Sequence, residues 1–297
     1  MAWIYAGSYN RLFEKLLKRA GGIILKKYMK KTLLIGISIF LMIYLLFPFL
    51  WLVISSVKYR VELFQNPPTW LPKEMTFKYY MELFQTESFT DSLSNSLLFA
   101  SFTTIICLVI GTLASYAFAR LQFRGRNSLY LMILGTQMLP QMALLIPLFI
   151  LMRMTGLLYT HIGIILAYVT FSLPYVIWMF RAFILSVPYD IEEAARMDGC
   201  TRIEAIVKMV LPLSLPGLVT TGIFVFIGAW NEFLFASVFT NSSLKTIPIR
   251  IGELIGQEGV QYELMLPAGV IASLPILILV MVFQKYIVQG LTEGSVK

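Results

Sequence analysis

Six long apolar runs, at residues 33–57, 93–119, 128–152, 162–184, 217–240 and 267–289, punctuate the chain, with more polar stretches between them. A hydrocarbon core about 30 Å thick takes about 20 apolar residues per helix, so each run is long enough to cross. Backbone inside lipid must satisfy its own polar groups, which leaves the helix as the structure for single segments of this length. The pattern therefore predicts an all-α polytopic membrane protein with six transmembrane helices. Residues 1–31 read differently, because Leu12, Phe13, Leu16, Leu17, Ile23 and Ile24 recur near helical spacing beside Arg11, Lys15, Lys18 and Arg19. That is the pattern of an amphipathic helix lying on the inner membrane surface. The first long apolar run follows the basic cluster Lys26, Lys27, Lys30 and Lys31 without a small-residue cleavage site, so no cleavable signal is expected. The division expected is an N-terminal amphipathic segment (1–31), a six-helix membrane domain (32–289) and a C-terminal tail (290–297).

The longest polar interruption in the second half, residues 186–217, reads SVPYDIEEAARMDGCTRIEAIVKMVLPLSLPG. Pro188 suits a first helical turn, and Asp190, Glu192 and Glu193 put negative charge at the positive end of that helix's dipole. Gly199 stands where a left-handed residue would stop the helix. Thr201 and Glu204 have the spacing of a capping box opening a second helix, which Pro212 and Pro216 would end. Two short helices around a Gly turn should thus lie across the membrane surface. Ala194 and Ala195 would leave one face of the first flat enough for another protein to approach its backbone. In the first outer loop, the Pro67-Pro68 pair and Pro72 predict an extended path flanked by interfacial aromatics.

Charge sets the orientation. Of 24 Lys and Arg residues, 17 fall in or beside segments that alternate spans place on one side and 7 on the other. The richer side is cytoplasmic, so both termini and the 186–217 loop face the cytoplasm. The net charge of +8 is thereby explained by topology and does not call for nucleic acid. Charged residues make up 13%, against about 25% in globular domains. Two cysteines and one histidine, His161 at a span edge, offer neither a disulfide framework nor a metal site. No Gly-rich Lys-Ser/Thr phosphate loop and no soluble domain that could hydrolyse a nucleotide are visible, so energy must come from a partner or a gradient.

Polar groups within the spans need partners or a pathway. Gln137 and Gln141 fall near the middle of the third run; Thr170, Ser172 and Tyr175 near the middle of the fourth; Asn231 and Glu232 about two-thirds of the way outward in the fifth. Amides and hydroxyls beside aromatic rings suit a polyhydroxylated solute. Interhelical hydrogen bonding is the alternative for each residue taken singly, and Glu232 is the one whose charge most demands a pathway or a partner subunit.

The joint spacing Glu193-Ala194-Ala195, Gly199 and Leu211-Pro212 resembles the signature loop of membrane subunits of ABC-type importers, departing at Met209, where that family usually has Ile. Trp230-Asn231-Glu232-Phe233-Leu234, the Pro-rich outer loop and the tail from Gln284 resemble the smaller permease of maltose-type carbohydrate importers. The resemblance runs from about residue 33 to the end and implies a type I ABC importer permease fold. It implies that the first short helix, with Glu192, Glu193, Ala194, Ala195, Asp198 and Gly199, docks into a cleft on an ATPase subunit. It implies that the tail, with Gly290, Thr292 and Gly294, reaches between two ATPase subunits. The partners implied are a second, different permease, two ATPase subunits carrying ATP and Mg, an extracytoplasmic solute-binding protein and a sugar, in the cytoplasmic membrane and among its lipids. The chain itself would hold no cofactor, metal or catalytic residue. A gradient-driven secondary transporter or channel, with Glu232 titrating in an ion path, is the rival reading; a membrane enzyme ranks behind it for want of clustered catalytic residues.

Overall fold

A computed structural model describes residues 31–256 and 259–293, so the amphipathic segment before Lys31 lies outside the described residues, as does Gly294. The chain separates into two compact units, Met1–Ser55 and Ser56–Lys297. The described part of the first falls within the membrane-length helix α1 (Lys31–Ser56). It coincides with the first predicted span.

The second unit opens on the outer loop, where short helices α2 (Arg60–Leu63) and α3 (Lys78–Gln85) flank the proline-rich stretch, which is non-helical as the prolines require. Glu62 is buried there and accepts hydrogen bonds from Thr69 Oγ1 (2.6 Å) and the Lys73 amide (3.1 Å), which keeps the loop folded on itself. Arg60 pairs with Glu263 at 2.9 Å, tying the loop to the start of the last helix.

Helix α4 (Glu87–Arg120) is the axis of this unit and packs on α7 (His161–Ser186) and on α11 (Leu215–Trp230). Lipid is as apolar as a leucine side chain, so close packing and interhelical bonds hold the spans together. Both are present. A Cβ on Gly111 would lie 2.3 Å from Val176 Cγ1, showing how closely α4 and α7 approach, and Ser115 Oγ donates to the Ile177 carbonyl at 3.2 Å. The main core gathers Phe89, Phe99, Ile164, Trp230, Phe235 and Phe239, with the His161 ring against Phe99. The Trp230 indole donates to the Ala272 carbonyl (3.1 Å) of α14 (Tyr262–Glu293).

Four helices among the described residues are long and apolar enough to cross, and two sharply bent helix pairs raise the number to six. The third predicted span is one of these pairs. It runs as α5 (Arg126–Gly135), a 3₁₀ turn (Thr136–Met138) and α6 (Gln141–Met154), bent by 100°. Leu139 is extended at ψ 132° because Pro140 follows it, and Pro140 cannot donate to a continuing helix. The predicted fifth span also divides, with α11 ending at Trp230 and α12 (Leu234–Phe239) beginning after Glu232. Helix α13 (Ile247–Glu253) folds back on α4, its Ile247 amide donating to Ser96 Oγ at 2.7 Å. A two-residue antiparallel pair, β1 (Ile255–Gly256) with β2 (Gly259–Val260), is the one departure from an all-helical chain among the described residues. At the C-terminal end α14 continues through residue 293, so residues 290–293 are helix where the sequence suggested a tail.

Candidate functional site: the loop between the fourth and fifth spans

Pro188 sets the geometry of the loop. It forces Val187 into an extended conformation (ψ 125°), stopping α7 at Ser186. Helix α8 (Tyr189–Met197) then starts with Asp190 and Glu192 in its first turn; Pro188 is its N-cap, one place before the first-turn position expected. The stop is a Schellman motif. Gly199 has φ +92°, its amide donates to the Arg196 carbonyl, and the Cys200 amide reaches back to the Ala195 carbonyl, each at 3.1 Å. The capping box also forms. Thr201 Oγ1 accepts from the Glu204 amide (3.3 Å) while Glu204 Oε2 accepts from the Thr201 amide (2.8 Å), opening α9 (Arg202–Ala205). The Thr201 amide, with the Thr201 hydroxyl and Lys208, holds the Glu204 carboxyl down to about 2. Its lowered folded-state pKa means the cap is fully present above the ordinary carboxylate range and is lost only as pH falls toward about 2.

Beyond α9 the helix widens into a π turn (Ile206–Val210) before α10 (Leu211–Leu213). A π turn here gives room to Pro212, whose ring would otherwise meet the Lys208 carbonyl of a regular helix. Pro212 therefore sits within the helical stretch, and Pro216 lies in the first turn of α11; the change of direction, 80°, falls at Ser214 between them. Gly217 then lets α11 pass α7, since a Cβ there would lie 2.1 Å from the Phe183 ring.

The two faces of α8 differ from the sequence expectation. Glu193, Ala194, Met197 (88% exposed) and Asp198 point outward with Gly199. Glu192 and Ala195 point inward and are only 2% and 3% exposed. A carboxylate and a methyl one helical turn apart share a face, and the one here is turned toward the spans. Ala195 thus adds nothing to a flat outer surface; Ala194 does. Glu192 accepts a short hydrogen bond from the Tyr116 hydroxyl on α4, and Arg120 Nε lies 3.5 Å from its other oxygen. Arg120 also donates to the carbonyls of Ile184 (3.0 Å) and Val187 (2.6 Å) at the negative end of α7. No sequence signal joined Tyr116 and Arg120 to Glu192, because the positive-inside pattern accounts for a basic residue at the end of any span.

The polar residues expected to share a pathway are only partly together. Gln137 and Thr170 line one cleft of about 630 Å³ between the bent third span and α7, with Pro147, Phe171 and Pro174 on its wall. The Gln137 amide, in the 3₁₀ turn just before the break, donates to the Phe171 carbonyl of α7 at 2.9 Å. Gln141 is exposed, Ser172 is half-buried, and neither lines that cleft. Tyr175 gives its hydroxyl to Met179 Sδ and stacks edge-on against Phe224. Asn231 donates to the Ile227 carbonyl at 3.0 Å. Glu232 caps α12: its two oxygens accept from the Phe235 (2.7 Å) and Ala236 (2.9 Å) amides. The break that follows Trp230 is what frees those amides, so the charge has a local structural use. Gly290 is buried in α14, where a Cβ would come within 2.5 Å of Thr220 Oγ1, so it packs within the chain. Among the described residues no cluster of His, Cys, Asp or Glu is placed to hold a metal.

The family described as binding-protein-dependent transport system inner membrane component matches residues 108–293, from within α4 to the end of α14. The chain belongs to this family. As an ABC importer permease it is a multi-pass subunit of the cytoplasmic membrane and a transport component, not an enzyme. The sulfoquinovosyl glycerol transport system permease protein SmoH of Agrobacterium fabrum is 39% identical over 253 residues, 85% of this chain and 89% of its own. The trehalose/maltose transport system permease protein MalG of Thermococcus litoralis is 35% identical over 281 residues, 92% of this chain and 99% of its own. In fold, the permease is similar to a chain of a bacterial ABC transporter that imports the acidic polysaccharide alginate, with a TM-score of 0.72 over 87% of this chain and 95% of that one, at 24% identity.

Proposed function

We propose that this permease is one of two different membrane subunits of an importer that carries a sugar or short oligosaccharide inward, fed by an extracytoplasmic solute-binding protein. Two cytoplasmic ATPase subunits, holding the ATP and Mg, supply the energy. The observation that carries the reading is the outer face of α8, where Glu193, Ala194, Met197 and Asp198 stand exposed on a helix that begins at Pro188 and is stopped by a Schellman turn. A short, rigid, partly charged helix with a large exposed methionine fits a cleft on another protein. The sugar class rests on relatives named for sulfoquinovosyl glycerol and for trehalose and maltose. Within this chain the Gln137–Thr170 cleft is mostly apolar, which favours a path wall here and a solute site shared with the partner permease.

ATPase closure would draw the docked helices of the two permeases together and turn the spans from one facing state to the other. Glu193→Lys reverses charge on the outer face and at the positive end of α8. Co-purification of the complex should then lose most of its ATPase subunits while the permease remains in the membrane. Wild-type recovery of ATPase would contradict docking through this face. Uptake competed by unlabelled disaccharides and not by amino acids is the expected specificity, and the opposite ranking would remove the sugar assignment.

A further inference from the structure

We infer that Glu192, Tyr116 and Arg120 form a transmission joint that makes α8 move as one body with α4 and α7. This rests on the reading of α8 as the docking helix and adds to it the residues that pass its motion inward.

The motivating observation is a carboxylate hidden on the inner face of a surface helix, where its one buried companion on that helix is the methyl of Ala195. Glu192 ranks among the largest fully buried side chains in the protein. Burying a charge is unfavourable without partners, and apolar packing would hold a surface helix in place as well or better. What a polar cluster adds is direction, because hydrogen bonds and ion pairs fix register where apolar surfaces can slide.

The three side chains reach three elements. The Tyr116 ring is seated in an apolar cluster with Phe180, Phe183, Ile184, Ile206 and Val210, which joins α4 to α7 and to the π turn, and its hydroxyl emerges from that cluster onto Glu192. Arg120, the last residue of α4, lies beside Glu192, donates to two carbonyls at the end of α7 and covers the Tyr189 ring of α8 at 5.4 Å. A pull on α8 is therefore delivered to the ends of α4 and α7 together. Those two helices pack on each other more extensively than any other pair among the described residues, and approach closely at Gly111 and Val176. The joint thus leads from the surface helix directly into the axis of the fold.

Glu192, Tyr116 and Arg120 face away from the exposed side of α8, so they act through position and not by touching the ATPase. That separates the joint from docking in experiment. Tyr116→Phe removes one oxygen and keeps the ring in its seat; Glu192→Gln keeps the shape and removes the charge. Each variant, and the two combined, would be purified as the full complex with ATPase subunits and solute-binding protein, reconstituted in proteoliposomes, and assayed for solute taken up per ATP hydrolysed. The ATPase subunits should co-purify as in wild type, while the uptake ratio falls by about 5-fold or more, the lower end of coupling between distinct sites. The double variant should be no worse than the worse single, since both act on one three-residue contact, Tyr116→Phe by removing its hydroxyl donor and Glu192→Gln by removing its charge. Wild-type ratios in both single variants would overturn the joint. So would loss of ATPase subunits from Tyr116→Phe, which would make the cluster a fold anchor only; if Glu192→Gln fails to assemble, Tyr116→Phe decides alone. Glu193→Lys run in parallel keeps the two ideas apart: if it retains its ATPase subunits, docking has failed, whereas if it loses them while the inner variants stay fully coupled, only the joint has.

Discussion

Gly199 is the residue on which the surface loop turns. Its φ of +92° is one that a side chain rarely adopts, and nothing lies within 4 Å of where a Cβ would stand. Replacement therefore carries a backbone cost without a packing cost. Gly199→Val should cost about 1–2 kcal/mol through the left-handed conformation and misalign α8 with α9, whereas Asn, which tolerates that region, should be milder. The comparison to make is ATPase stimulation by solute-loaded binding protein, and equal stimulation in the Val, Asn and wild-type proteins would contradict the Schellman stop. Gly199, Thr201 and Glu204 were legible in the sequence because local chemistry alone decides them. Glu192 was not. Whether a carboxylate in a first helical turn points to water or to Tyr116 and Arg120 depends on elements about 70 residues away in the chain. The same holds for the local partners of Glu232, because the break after Trp230, which frees two amides for it to cap, lies inside one long apolar run of the sequence. Glu232→Gln keeps one acceptor and loses the other, so α12 should weaken by about 0.5–2 kcal/mol, seen as faster hydrogen exchange at the Phe235 and Ala236 amides. Unchanged exchange would contradict the cap.

At the scale of elements, hydrophobic runs located the six crossings but not their shapes. Apolar length is blind to direction, so the 100° bend at Leu139–Pro140 was hidden inside a run that could have been one helix, although Pro140 was a local warning. The gathering of Gln137 and Thr170 at one cleft follows from that bend, and Gln141, just beyond it, is left outside. The end of α14 shows the opposite error. Residues 290–297 read as a tail, yet α14 runs on through residue 293, and beside it Thr220 Oγ1 donates to the Tyr286 carbonyl at 2.9 Å and fills the space next to Gly290. Gly290→Val should overpack the α11–α14 contact at about 1–3 kcal/mol and lower the melting temperature of the detergent-solubilised complex. A wild-type melting temperature would mean that this end of α14 is loosely held.

At the scale of the whole molecule, the second unit carries a surface helix, started by Pro188 and stopped by a Schellman turn, standing on the two most extensively packed spans. Family membership makes the chain a membrane subunit of a binding-protein-dependent importer. That part was readable in advance because the spacing of Glu193, Ala194, Ala195 and Gly199 is local, while the solute path is shared among distant spans and a second subunit. The most direct measurement is uptake by the complete complex in proteoliposomes, with solute-binding protein and labelled disaccharide on one side, ATP and Mg on the other, and ionophores present to collapse all ion gradients. Uptake that persists under these conditions and stops when ATP is omitted is the result predicted. Uptake that needs no ATP and disappears with the ionophores would contradict the account.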